Sequence, residues 1–146
     1  MEKDKAARGQ RIADNIRKLL LNCDLRIVYG EGELKLAQED FKLNSKKGGK
    51  TNLRKAIQAK ARAETYKVYI KNVNKIKSDI SLSLDAVLSR YTPKYKTIWI
   101  MYFIKQATIE EICSAVSYSR GNINVIIKKL KLDFDHFYQG GIHDED

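Results

Sequence analysis

The sequence predicts an all-α protein, and three observations support this prediction. Pro93 is the single proline among 146 residues. Apolar residues recur three and four positions apart over most of the chain, as they do in amphipathic helices. Strand-like alternation is confined to the short run 25–29. Hydrophobic residues make up 43% of the chain, which suffices for one ordinary core or two small ones and excludes a large multi-domain enzyme.

Three further features predict a cytoplasmic protein. No run of about 18 apolar residues is present, so we expect no membrane span. The N-terminus lacks the apolar segment of a secretory signal. Cys23 and Cys113 are the only cysteines, and two are too few for the disulfide framework of a small secreted protein.

Residues 1–43 form the first predicted region, an N-terminal helical region. Its first helix covers residues 6–21, which carry an apolar stripe at helical spacing. Gly30-Glu-Gly32 predicts a turn, because two glycines close together interrupt a helical pattern. Residues 34–43 then predict a short second helix.

Residues 44–81 predict a basic linker followed by a long helix. The linker is the polar segment 44–51, which contains two glycines. The helix runs from about Asn52 to about Ser78. A helix this long needs something to pack against, either the rest of the chain or the same helix of a second subunit, so a homodimer is one expectation. Its predicted apolar stripe consists of Leu53, Ile57, Ala61, Val68, Val73, Ile76 and Ile80.

The positive charge is concentrated in the N-terminal half. Residues 1–81 contain 20 basic and 10 acidic residues, whereas residues 82–146 contain eight of each. Between Lys42 and Lys77, twelve basic residues accompany one acidic residue, Glu64. Such a run repels itself unless a counter-charge is supplied, and a phosphate backbone is the usual source. A solvated basic helix face is the alternative interpretation. The predicted phosphate contacts here are Lys46, Lys47, Lys50, Arg54 and Lys55.

Residues 82–139 predict a separate group of helices. Residues 82–91 form a helix that ends at Thr92-Pro93, because the residue before proline disfavours helix and proline is well suited to open the next one. The strongly apolar run 95–105, which contains Trp99, predicts a central buried helix. Thr108 and Glu111 have the spacing of a helix-capping box.

The last helix is predicted to begin after a break at residues 117–119. Ser119 is its expected N-cap, and the helix ends near Tyr138. A glycine pair and an acidic tail, residues 140–146, follow it.

Residues 108–130 have the pattern of a helix-turn-helix. Ile109, Ile112 and Val116 lie three or four positions apart and face the core, and Cys113 is small enough for two helices to approach each other. Ile123, Ile127 and Leu130 anchor the second helix at helical spacing. An ordinary structural helix pair is the alternative interpretation.

The opposite face of the second helix carries the side chains that read DNA. Arginine and asparagine make bidentate contacts with guanine and adenine edges in the major groove, whereas lysine and hydroxyl groups position a protein on phosphates. Gly121 and Val125 share this face. The predicted base-reading residues are Arg120, Asn122, Asn124 and Lys128. The predicted phosphate contacts of this region are Ser119, Lys129 and Lys131.

The same region resembles a known family. Tyr-Thr-Pro at 91–93, Thr-Ile-Glu-Glu-Ile at 108–112, Tyr-Ser-Arg at 118–120 and the aromatic end Phe-Asp-His-Phe-Tyr at 134–138 are similar to the C-terminal domain of the ArpU/RinA-type late transcription regulators. These regulators belong to phages and mobile elements of Gram-positive bacteria. The resemblance covers roughly residues 82–139 and departs at Gly121 and in the long basic segment.

The resemblance implies a helix-turn-helix like the sigma-factor region, region 4, that reads the −35 promoter element. It also implies activation of late genes for packaging, morphogenesis and lysis. We therefore expect a sequence-specific DNA-binding transcription regulator in the cytoplasm of a bacterial host cell, with promoter or operator duplex DNA and RNA polymerase as partners. A small terminase subunit or other DNA-packaging adaptor is the first alternative. A basic module that binds an acidic protein is the second.

We expect no enzyme activity, cofactor, metal or small-molecule substrate. His136 and His143 lack partners at metal-ligand spacing. Asp133 and Asp135 lie on different helix faces, unlike the carboxylates of a metal-dependent nuclease. Residues 48–51 lack the earlier glycine of a phosphate-binding loop.

Overall fold

The computed structural model describes residues 2–137, and over these residues the protein consists of helices and short connections without a strand. The all-α prediction is therefore confirmed for the described part of the chain. The acidic tail and the predicted helix end at Tyr138 lie outside it. The helices are α1 (Glu2–Lys47), α2 (Lys50–Leu88), α3 (Pro93–Trp99), continued by a π-helical turn (Ile100–Ile104), α4 (Ile109–Val116) and α5 (Arg120–Phe137).

The described residues divide into two compact units. Residues 21–79 form one unit, here called the hairpin unit, from the second part of α1 and most of α2. The described residues on either side of it form the other, here called the core unit. The core unit thus combines the start of α1, the end of α2 and all the shorter helices. Within residues 2–137, no helix is long and apolar enough to cross a membrane.

The core unit is built around Trp99. Its side chain is fully buried, and its ring centroid lies 5.1 Å from that of Phe103 and 4.6 Å from that of Phe134. The start of α1 contributes Ile12 and Ile16 to the same cluster. α1 also contacts α5 closely, because a Cβ added at Gly9 would overlap a backbone carbonyl of α5.

The predicted turn at Gly30-Glu-Gly32 is wrong, because α1 is one continuous helix of 46 residues, and this helix also includes the run 25–29. Gly30 serves packing instead. A Cβ there would lie 2.9 Å from Ile70 Cγ1 and 3.0 Å from Tyr69 Cδ1, so its missing side chain lets the two helices approach. The predicted boundary between residues 43 and 44 lies inside α1.

Of the predicted linker, residues 44–51, only Gly48 and Gly49 lie outside a helix. Gly48 and Gly49 have φ angles of 70° and 90°, a region that glycine enters without steric cost, and they join α1 directly to α2. The predicted helix 82–91 is not separate, and the predicted boundary at 81/82 lies two residues from the division between the two units at 79/80. α2 continues to Leu88 because nothing before Pro93 breaks the helical pattern.

The hairpin unit is packed through small side chains. Asp24 pairs with Lys77 and Asp40 pairs with Arg62, so α1 and α2 run antiparallel here. The buried residues of this unit are Cys23, Gly30, Ala37, Ala56, Ala59, Ala63 and Val73.

Most of the apolar stripe predicted for α2 is therefore exposed and does not form a core. Leu53, Ile57 and Val68 are 61%, 62% and 56% exposed, and Val73 is the one large member that is fully buried. The alanines pack at the helix–helix contact because small side chains allow the two axes to come closer than leucine would.

Candidate nucleic-acid interface

The α4–α5 pair has the local geometry of a helix-turn-helix. Three residues, 117–119, connect the two helices. Ser117 adopts the left-handed conformation, with φ 59° and ψ 39°, and its amide donates to the Cys113 carbonyl. This residue ends α4 and turns the chain sharply toward α5.

The start of each helix is capped by a side chain. The Glu111 amide donates to Thr108 Oγ1 at 3.2 Å, and the Thr108 amide donates to Glu111 Oε1 at 3.0 Å, so both hydrogen bonds of the capping box are present. These bonds to Thr108 hold the pKa of the Glu111 carboxyl below its ordinary value. The Asn122 amide donates to Ser119 Oγ at 3.2 Å at the start of α5.

Apolar contacts fix the inner faces of both helices. Ile112 and Val116 of α4 are buried, and Cys113 is half-buried against the core. The inner face of α5 is buried along about three turns by Ile123, Ile126, Ile127, Leu130 and Phe134. Because one side of α5 packs in the core, the opposite side faces away from it.

The predicted base-reading side chains all lie on the outer side of α5. Arg120, Asn122, Asn124 and Lys128 are exposed. Val125 lies among them and is 68% exposed. Gly121 has no neighbour within 4 Å of the position that a Cβ would take, so this surface is low enough for close approach of another molecule.

Sequence reasoning missed the partner of Arg120. Its Nη1 atom lies 2.9 Å from Oε1 of Glu110 on α4, and both side chains are about two-thirds exposed, at 70% and 68%. The carboxylate restrains the guanidinium at the edge of the candidate interface. A separation of ten residues across a turn has no signature in a helical pattern, so the pair could not be found from the sequence.

The predicted phosphate contacts of α5 are divided between two environments. Ser119 and Lys129 are exposed, and Lys129 Nζ lies 5.8 Å from the ring centroid of Tyr95. Lys131 is half-buried, and its Nζ lies 5.6 Å from the ring centroid of Tyr102. Lys131 is thus less available to a phosphate than Lys129.

The second predicted basic group lies around the hairpin turn. Lys46, Lys47 and Lys50 are exposed there, as are Arg54 and Lys55 in the first turns of α2. Further along α2, three basic side chains have acidic partners in the chain: Arg62 with Asp40, Lys67 with Glu64, and Lys77 with Asp24.

The residues considered for a nuclease or metal site were examined next to their neighbours in the fold. Both oxygens of Asp135 accept from the Arg8 guanidinium, at 3.2 and 3.1 Å, which ties α5 to α1. Among the described residues, no cluster of three or more histidine, cysteine or acidic side chains could hold a metal ion. His143 lies outside the described residues. No family model, curated protein or solved structure matches the chain. The candidate interface is therefore described from the residues of this chain.

Proposed function

We propose that the protein is a sequence-specific DNA-binding transcription regulator that inserts α5 into the major groove of duplex DNA. The observation that supports this best is the two-sided character of α5. One side is buried along the length of the helix, and the other exposes arginine, asparagine and lysine at the end that follows the turn. Recognition helices of this kind contact base edges with their N-terminal residues.

The chemistry of the exposed residues suits base recognition. Arg120 can donate two hydrogen bonds to guanine O6 and N7, and Asn124 can pair with adenine N6 and N7. Val125 offers an apolar contact to a thymine methyl group. Ser119 and Lys129, with the lysines of the hairpin turn, supply the phosphate contacts that give affinity without sequence preference.

The finer role follows the resemblance described above. We propose an activator of phage or mobile-element late genes that binds a promoter or operator in the bacterial cytoplasm and contacts RNA polymerase.

Selection from random duplexes tests the base-reading role. We expect the full chain to enrich one sequence motif, and the Arg120→Ala and Asn124→Ala variants to lose the preference at one position each, at a cost of about 1–3 kcal/mol per lost contact. Arg120→Lys keeps the charge but not the bidentate fork, so it should also lose selectivity. Lys18→Ala, which removes an exposed charge on α1, is the control and should keep the motif.

Two results would contradict the proposal. Recovery of random sequence by the full chain would remove the base-reading role. An absence of DNA binding at moderate salt would favour the basic module that binds an acidic protein.

A DNA-packaging adaptor, such as a small terminase subunit, is the second candidate. It is favoured by the large apolar side chains that the hairpin unit exposes, because packaging adaptors act as assemblies. The mass in solution separates the two. A closed ring of eight or more subunits with one defined mass favours packaging, whereas a monomer, a dimer or an open assembly whose mass rises with concentration fits regulation.

A further inference from the structure

We infer that copies of this chain associate side by side through the hairpin unit, with the outer face of α1 in one copy packed against the outer face of α2 in the next. This inference goes beyond the proposed function and holds whether or not α5 binds DNA. It rests on the position, chemistry and extent of two exposed apolar faces.

The outer face of α1 is an exposed apolar stripe. Its members are 4, 3, 8 and 7 positions apart, which keeps them on one side of a helix. Each is at least half exposed, at 51%, 61%, 66%, 56% and 52% in chain order. The stripe consists of Leu21, Leu25, Val28, Leu36 and Leu43.

The buried side of α1 lies opposite this stripe. Cys23 and Gly30 each follow a stripe residue by two positions, and two positions turn a helix by about 200°. Because Gly30 lies against Tyr69 and Ile70 of α2, the outer face of α1 points away from α2.

α2 has the same arrangement. Leu53, Ile57 and Val68 form its outer face, and Ala59 follows Ile57 by two positions on the buried side. The two outer faces therefore lie on opposite edges of the hairpin. A twofold contact would bury one edge and leave the other in water, whereas a head-to-tail contact buries both.

The charges of the two helices match such a contact. Residues 21–43 of α1 contain five acidic and three basic residues, whereas residues 50–79 of α2 contain nine basic and two acidic residues. Two α2 edges placed together would repel each other. An α1 edge beside an α2 edge brings opposite net charges together, so charge favours the head-to-tail arrangement.

The register within the hairpin identifies one expected pair. Gly30 lies level with Tyr69 and Ile70, so Glu39 lies level with Lys60, and Leu43 with Ile57. Glu39 lies along the outer face of α1, Lys60 lies beside that of α2, and both are exposed. In copies that stand at the same height, Glu39 of one copy is placed to pair with Lys60 of the next.

The area is sufficient for a stable contact. The eight apolar side chains expose roughly 100 Å² each, about 800 Å² in all. This is close to the apolar share of a standard interface, which buries about 1,200–2,000 Å² in total.

A mixing experiment tests the head-to-tail contact. Variant A carries Leu25→Glu and Leu36→Glu, which disrupt the α1 edge, and variant B carries Ile57→Glu and Val68→Glu, which disrupt the α2 edge. In analytical ultracentrifugation we expect the wild-type chain to form assemblies larger than a dimer, and each variant alone to be monomeric. Mixed together, A and B should form a 1:1 dimer, because each retains the edge that the other lacks.

Other outcomes would overturn the inference. A dimer of variant A alone means a twofold contact between α2 edges, and a dimer of variant B alone means a twofold contact between α1 edges. A monomeric wild-type chain at about 100 µM means that neither edge binds a second copy. Circular dichroism establishes that both variants keep their helices.

Two controls sharpen the result. Val125→Glu places the same charge on an equally exposed valine of α5 and should leave assembly unchanged while it weakens DNA binding, which separates this inference from the proposed function. Glu39→Lys and Lys60→Glu should each weaken assembly several-fold, and the double variant should recover it. Single variants that assemble like the wild type would remove the assigned register.

Discussion

Gly9 sets how closely α1 approaches α5. A Cβ at this position would overlap the carbonyl oxygen of Lys131, a backbone atom that cannot turn aside as a flexible side chain can. Gly30 makes room between α1 and α2 for the side chains of Tyr69 and Ile70. Neither glycine is needed for its backbone conformation, since both lie inside a regular helix. Their role is visible only once the neighbouring helix is in place.

Replacement of Gly9 by alanine should destabilise the core unit. The added methyl group forces α1 and α5 apart, at an expected cost of about 3 kcal/mol, the upper range for an overpacked site. Urea unfolding followed by circular dichroism measures the change. Gly121→Ala is the matched control, because its Cβ meets open space and alanine favours a helix by up to about 1 kcal/mol. Equal stabilities of the two variants would contradict the assigned contact.

Replacement of Ser117 by glycine should stabilise the folded protein. Ser117 is held at φ 59°, where a side chain costs roughly 1–2 kcal/mol that glycine does not. We expect Ser117→Gly to raise the free energy of unfolding by about 1 kcal/mol. Ser114→Gly, inside α4, should lower it by several tenths of a kcal/mol. A loss of stability in Ser117→Gly would mean that α4 does not end in this conformation.

At the scale of elements, sequence patterns located the ends of the short helices better than those of the long ones. Thr92-Pro93 and the Thr108–Glu111 capping box are local signals, and each lies where a helix begins. The glycines at positions 30 and 32 carried a false signal of the same kind. A glycine can break a helix or make room for a neighbour, and its own sequence surroundings do not distinguish these uses.

The misassigned stripe of α2 has a related cause. Periodicity identifies an apolar face, but it does not say whether that face is covered within the same chain. In α2 the alanines form the intramolecular contact, and the larger residues are left outside. The outer face of α5 could be predicted because about three turns of large apolar residues mark its inner side.

The capping box of α4 should make stability depend on pH. The lowered pKa of Glu111 means that its charged form is favoured in the folded state. The stabilisation is therefore present at neutral pH and is lost as the pH falls through the folded-state pKa. We expect Glu111→Gln to lower the melting temperature at pH 7, and to lower it progressively less as the pH falls through the folded-state pKa of Glu111.

A second substitution checks the same element. Thr108→Ala removes the capping hydroxyl and should cost about 1 kcal/mol at pH 7. Glu31→Gln, an exposed acidic residue of α1, is the control for a general change of charge. If Glu31→Gln reproduced the pH dependence of Glu111→Gln, the capping box would not be the cause of the pH-dependent stability.

At the scale of the whole molecule, the lysines of the hairpin turn should contribute to the salt dependence of DNA binding. Lys46 and Lys47 at the hairpin turn are proposed to contact phosphates. Their double replacement by glutamine should reduce the slope of log K against log salt concentration by about 1.8, because each phosphate contact contributes about 0.9. Base preference should stay the same.

Lys3→Gln with Lys5→Gln is the matched control for this measurement. It removes two exposed lysines from the start of α1, where no phosphate contact is proposed, and should leave the slope unchanged. An unaltered slope after replacement of Lys46 and Lys47 would exclude the hairpin turn from the DNA contact.

The core unit is assembled from both ends of the described chain, and this has a consequence for synthesis. Ile16 and Trp99 belong to one buried cluster yet lie 83 positions apart. At about 5–20 residues per second, the ribosome needs roughly 4–17 s to deliver the second after the first. During that interval the apolar side of the nascent N-terminal segment stays uncovered, and a premature stop before Pro93 would leave it so permanently. Chaperone demand should therefore fall on the beginning of this polypeptide, although the missing partners are encoded near its end.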